Sequence, residues 1–241
     1  MLTFTATGFG ISAIMPGINF WSRRFFMSLF ATLTLCMVAA NIDSLVWENP
    51  SMATPEKVAT YFEYFLLALP MPIFTAYLLQ VCGENLKSNA IFRAALVIFI
   101  FFFILLGITQ FTTFFYYVTP ENQFIRGEWH TILMAPMVIL PFLNLIGVIR
   151  RKNNLPPKYY VAFLIYLLPL TITFLVHSFF FVPMLVFIGV VISTLSMFAI
   201  IVAFDIDKYD FTKHFRSTSS MAYYTPLHGI RKDFHATLKR S

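Results

Sequence analysis

Residues 94–118 read AALVIFIFFFILLGITQFTTFFYYV, without one Lys, Arg, Asp or Glu. A helix rises about 1.5 Å per residue and a bilayer's hydrocarbon core is about 30 Å thick, so roughly 20 apolar residues suffice to cross it. Inside hydrocarbon every backbone amide must find its partner within the protein, and a helix provides that partner locally. Five other stretches repeat the pattern, at about residues 25–46, 58–81, 129–149, 159–179 and 183–204. Short connections join them: WENPSMATPEK, CGENLKSNAIFR, TPENQFIRGE, RRKNNLPPK and SFFFVP. The expected fold class is all-α, a polytopic membrane protein built as a bundle of about six transmembrane helices. Composition agrees, since only 12% of the 241 residues are charged and 59% are hydrophobic, where a soluble domain has about a quarter charged.

Charge placement predicts orientation. With the N-terminus inside, the inner segments hold Arg23, Arg24, Lys87, Arg93, Arg150, Arg151, Lys152, Lys158, Lys208, Lys213, Arg216, Arg231, Lys232, Lys239 and Arg240, leaving Lys57 and Arg126 outside. Fifteen against two is a strong positive-inside bias and predicts both termini in the cytoplasm. The net charge of +6 thus reflects topology. It does not gather on one stripe between exposed aromatics, so no nucleic-acid partner is expected and the lipid bilayer is the partner. The two cysteines, Cys36 and Cys82, lie in or beside apolar runs and read as packing residues, not as a disulfide or a metal site.

Three regions follow. Residues 1–24 read as a cytoplasmic or interfacial leader, residues 25–204 as the six-helix domain, and residues 205–241 as a linker and basic tail. The leader is no signal peptide, because Arg23 and Arg24 follow its weakly apolar part. Gly8, Gly10, Pro16 and Gly17 disfavour a continuous span there and leave room for a short re-entrant or amphipathic piece. Trp21, Trp47, Tyr116, Tyr117, Trp129, Tyr159 and Tyr160 sit near span ends as interfacial aromatics do. Pro70, Pro72, Pro136, Pro141 and Pro169 fall inside spans, where a missing donor kinks a helix and shapes packing or a cavity.

Ionisable and amide groups within a bilayer are costly. In the outer half fall Asn41, Asp43, Glu63, Gln110, Glu128, His130 and His177, and in the inner half Gln80, Asn144 and Asp205. An interfacial role accounts for Asp43, Glu128, His130 and His177 on position alone. Glu63 and Gln110 read as deep enough to need a partner in the bundle. Glu63, Gln110, Asp43 and His177 are therefore the candidates for an intramembrane ligand or relay site. Catalytic signatures are missing: there is no Gly-rich phosphate loop, HExxH, paired Cys motif or GxSxG. No catalytic residue, cofactor or metal is expected. A small multipass transporter or channel is the rival reading, although no inverted repeat or matched pair of broken helices appears.

The tail adds a resemblance. AYYTPLHGIRKDFHATLKR, residues 222–240, resembles the opening of bacterial GGDEF domains, the diguanylate cyclase family, whose first helix follows a motif of the form YYDPLTGLxNRxxF. Pro226, Leu227, Gly229, Ile230, Arg231 and Phe234 align with it after a one-residue deletion, while Thr225 and His228 depart from it and the Asn of the NR pair is missing. Residues 114–130, FFYYVTPENQFIRGEWH, and the later run VISTLSMFAIIVAFDI resemble membrane sensor regions that precede GGDEF or histidine-kinase output domains. The resemblance implies a sensor and anchor module in a bacterial plasma membrane, a homodimer and a cytoplasmic signalling partner. The sequence stops at Ser241, ahead of the family's metal-binding aspartate, guanine-contacting residues and GGDEF loop, so a truncated protein that is not an enzyme is the expectation.

The tail also has a plain physical reading. Ile230, Phe234 and Leu238 recur every four residues beside Arg231, Lys232, Lys239 and Arg240, as in a basic amphipathic helix on an anionic leaflet, each cation contributing about 1 kcal/mol near the surface. Upstream, helix is plausible over residues 209–215, with a break or new start at residues 217–220, STSS.

Overall fold

The computed structural model describes residues 1–15, 17–46, 49–180 and 182–223. All of the GGDEF-like stretch but Ala222 and Tyr223, and the amphipathic reading of the tail, fall on residues 224–241, outside the described residues. The elements are α1 (Leu2–Ile14), α2 (Phe20–Val46), a 3₁₀ turn (Pro50–Met52), α3 (Ala53–Ala68), α4 (Pro70–Val81), α5 (Ala90–Ile108), β1 (Tyr116–Val118), β2 (Phe124–Arg126), α6 (His130–Arg150), α7 (Pro157–Phe180) and α8 (Pro183–Tyr223). Six stretches are long and apolar enough to cross a membrane: α2, α3 with α4, α5, α6, α7, and Met184–Ile206 of α8. The chain is thus a multi-pass bundle, as its apolar segments predict.

Local chemistry sets the helix ends. The Asn89 side chain accepts hydrogen bonds from the Ile91 and Phe92 amides at 2.9 and 3.4 Å and starts α5. Gly83, at φ 70°, ends α4. The Glu84 amide donates to the Leu79 carbonyl and the Gly83 amide to Gln80, a closure that needs a left-handed residue in the glycine's place. Within the second span, Pro70 and Pro72 lack the amides that would serve the Leu66 and Ala68 carbonyls, and the span divides into α3 and α4 at Leu69.

Besides earlier span starts, with α2 beginning at Phe20 and α3 at Ala53, three features differ from the sequence expectation. The third span stops at Ile108, and the rest of its aromatic run turns into an antiparallel hairpin pairing Tyr116 with Arg126, Tyr117 with Ile125 and Val118 with Phe124. Thr109 and Thr112 donate their hydroxyls to the Leu106 and Ile108 carbonyls, competing with the helix ladder where it ends. The leader contains a 13-residue helix, α1, packed on α2. Gly8 permits that approach, because a Cβ there would lie 2.5 Å from the Phe30 ring. Finally, α8 continues as one helix through residues 217–220, where a break was expected; intrahelical bonding overrides the weak propensity of STSS.

Lipid is as apolar as leucine, so packing and close approach hold such a bundle together, not water exclusion. Its centre is aromatic, with Phe26, Phe30, Phe74, Phe102, Phe163 and Tyr166 fully buried. Phe25 stacks on Tyr77 with ring centres 4.0 Å apart, and Phe26 meets Phe198 edge-on at 4.9 Å. Helix α8 lies chiefly along α7, α2 along α1 and α3, and α6 between α5 and α7.

Opposite ends of the bundle are tied differently. At the end away from the hairpin, Arg151 forms a bidentate pair with Glu84, which also accepts from Asn89. There too, Asp205 of α8 accepts from the Asn19 amide at 3.1 Å, just before α2, and from the Tyr159 hydroxyl of α7 at 3.1 Å. At the hairpin end, Asn122 holds a positive φ of 62° and donates its side-chain amide to the Val46 carbonyl at the terminus of α2.

Candidate functional site

The α3 sequence places Glu56, Thr60, Glu63 and Leu67 at intervals of four, three and four, which puts all of them on one helix face. That face lines a cavity of about 540 Å³ at the hairpin end of the bundle, within the size range of small-molecule sites. Asp43 comes from the last turns of α2, His177 from the end of α7, Val186 and Phe187 from the first turns of α8, and Gln123 and Phe124 from the hairpin. Tyr64 completes the wall on the α3 side.

Three of the four candidates from the sequence, Asp43, Glu63 and His177, thus line one cavity. Gln110 does not. It lies just beyond α5, where its backbone carbonyl accepts from Lys57 at 2.6 Å and its side chain donates to the Tyr116 hydroxyl at 3.4 Å. Its role is to join the hairpin to α3 and α5. Burial raises the Tyr116 phenol above its ordinary pKa and keeps it neutral for that contact. His130 lies at the start of α6, with Nδ1 3.3 Å from the Phe115 carbonyl, under the aromatic cluster of Tyr64, Tyr116 and Phe124.

The cavity is acidic. Asp43 and Glu63 are half-buried, and the Thr60 hydroxyl lies 3.3 Å from Asp43 Oδ1 and 2.9 Å from the Glu56 carbonyl. Glu56 is 1% exposed, and its Oε2 has no hydrogen-bond partner. The ion pair found among the described residues, Arg151 with Glu84, involves none of these three carboxylates. Arg126 on β2 lies within electrostatic reach of Tyr64, His130 and His177, and burial lowers its pKa. A carboxylate is a pure acceptor, so an unpartnered buried oxygen is expensive until a donor reaches it.

Glu56 falls in a connection when the second span is taken to start at residue 58. The signal was nonetheless in the sequence, in the helical spacing Glu56–Thr60–Glu63. Phe124 and Phe187 had no such signal, because the hairpin and the α7–α8 turn bring them in from elsewhere in the chain.

Among the described residues no group of three His, Cys, Asp or Glu side chains is arranged to hold one metal ion. The cavity can bind and orient a ligand that brings donors or positive charge. No family model, curated protein or solved structure matches this chain.

Proposed function

We propose that this chain is the membrane sensor and anchor module of a signal-transduction protein, reading a ligand in the hairpin-end cavity and passing the response along α8. One observation carries the reading. Val186 and Phe187 line the cavity, and the helix that bears them runs unbroken to Tyr223, well beyond the end of its span at Ile206. A single helix that touches both a ligand site and the far side of the membrane is a simple means of coupling the two. Asp205 supports it, because it ties α8 to α2 and α7 at the far end of the span.

The tail motif adds the output class. By resemblance the partner chemistry is of the cyclic-di-GMP type and is supplied by a cytoplasmic partner, with the module acting as a homodimer. The positive-inside bias supports both termini in the cytoplasm, and the resemblance adds a bacterial plasma membrane.

Coupling can be tested without a known ligand. Spin labels at Lys87→Cys and Thr218→Cys, in a Cys82→Ala background, report the position of α8 in nanodiscs. Val186→Trp, which fills the cavity, is expected to shift their distance distribution, whereas Ile146→Trp on the outward face of α6 leaves it unchanged. An unmoved distribution with Val186→Trp overturns the reading.

A second reading, a small transporter, draws support from the break at Leu69, close to cavity residue Leu67, since discontinuous helices often flank transport sites. Saturable flux of protons, Na⁺ or K⁺ into proteoliposomes carrying the full chain would favour it over sensing.

A further inference from the structure

The three carboxylates of the cavity form a row. Glu56 and Glu63 lie two turns apart on one face of α3, about 10 Å along the helix axis. Asp43 of α2 stands between them in height, because its Oδ1 lies 3.3 Å from the hydroxyl of Thr60, the residue midway along that face. Such a row does not converge on one point, and among the described residues no three acidic or imidazole groups could hold one metal ion. Around it the wall is apolar and aromatic, with Leu67, Phe124, Val186 and Phe187. Glu56 supplies a second, independent sign of a ligand: its Oε2 is buried in the wall with no partner.

Charges at intervals on an otherwise greasy surface match a chain molecule with charges at intervals on a greasy backbone. We infer that the cavity binds a linear aliphatic polyamine, its ammonium groups placed along the row Glu56, Asp43 and Glu63 and its methylenes against Leu67, Phe124 and Phe187. The titratable groups near it from other elements are His177 of α7, which lines the cavity, and Arg126 of β2, within electrostatic reach of Tyr64 and His177. An ammonium donates three hydrogen bonds and accepts none, so it satisfies the Glu56 oxygen where water in a partly apolar pocket does so less well. Aromatic walls add favourable cation–π contact.

The inference rests on the sensing reading of the same cavity but is tested apart from it. Purified full-length chain in nanodiscs is titrated, at constant ionic strength, with spermidine, 1,5-diaminopentane, 1-aminopentane and Mg²⁺, and the thermal unfolding midpoint is recorded. Spermidine is expected to stabilise saturably, 1-aminopentane at least tenfold more weakly, and Mg²⁺ not at all. Glu63→Gln and Asp43→Asn should each weaken spermidine about tenfold, while Asn85→Ala, at the other end of the bundle, should leave it unchanged. Equal action of the monoamine or Mg²⁺, or no change in the two carboxylate variants, overturns the inference. The ligand series on the wild type decides the matter even where a variant does not fold. Spermidine binding without movement of the α8 label defeats sensing alone; α8 coupling without amine binding defeats this inference alone.

Discussion

Gly127 shows how one residue sets a local structure. A Cβ there would lie 2.1 Å from the Phe114 carbonyl oxygen and 2.6 Å from that of Thr113. Those are backbone atoms, with no flexible end to swing aside. Gly127→Ala should therefore displace the hairpin and cost about 2 kcal/mol or more, read as a lower unfolding temperature in detergent. Gly10→Ala, where a Cβ meets nothing within 4 Å, should be neutral or mildly stabilising. The reason for a glycine at 127 is not legible in the sequence, because it is the return of residues 113–114 across the turn. Glu84 gives a pH test. Its hydrogen bonds and charge pairing with Arg151 hold its pKa below the ordinary 4.5. The pairing then stabilises the fold above about pH 4.5, where Glu84 is ionised folded or unfolded, and the benefit disappears as pH falls through the depressed value. With Glu84 30% exposed, the effect is about 1 kcal/mol or less. Glu84→Gln should melt a few degrees below wild type at pH 7, and the two curves should converge in acid.

At the scale of elements, the six spans were legible because an apolar run of about 20 residues has few other stable fates. Their ends were less so. The run through residue 118 continued past the end of α5 because Thr109, Thr112 and the aromatic pair Tyr116–Tyr117 suit a turn and strand as well as a helix. Hydropathy does not distinguish these outcomes. The hairpin that results is held at its tip by Asn122, through its positive φ and its bond to the Val46 carbonyl. Asn122→Ala loses the bond and strains the backbone, at a cost of about 1–2 kcal/mol. Trypsin cleavage after Arg126 is expected to quicken several-fold in that variant and to stay at the wild-type rate in Asn85→Ala, which lies at the other end of the bundle. The division of the second span at Leu69 was foreshadowed by Pro70 and Pro72, since neither can donate to the turn before it.

At the scale of the whole molecule, the cavity exists because four separate helices and a hairpin end at one place. Its width depends on how closely α8 lies on α7. A Cβ at Gly189 would fall 2.5 Å from Thr173 Cγ2, and a β-branched side chain in a helix has little freedom to turn away. Gly189→Ala should push the two helices apart, separating His177 from Val186 and Phe187, and lower stability by about 1–3 kcal/mol. Thr173→Ala removes the obstructing atoms and should restore most of the loss in the double variant, measured by thermal unfolding of all four proteins in one detergent.

By itself the sequence determined that this chain is a bundle of membrane-crossing helices, because solvent preference is a sum over residues and needs no knowledge of their neighbours. It also singled out Asp43, Glu63 and His177, since a polar group in an apolar run is conspicuous wherever it points. That these three share a cavity with Glu56 while Gln110 braces the hairpin, and that α8 joins that cavity to the far side of the bundle, emerges from the packing. Those facts depend on helix crossings and on where α5 stops, which are set by contacts between residues far apart in the chain.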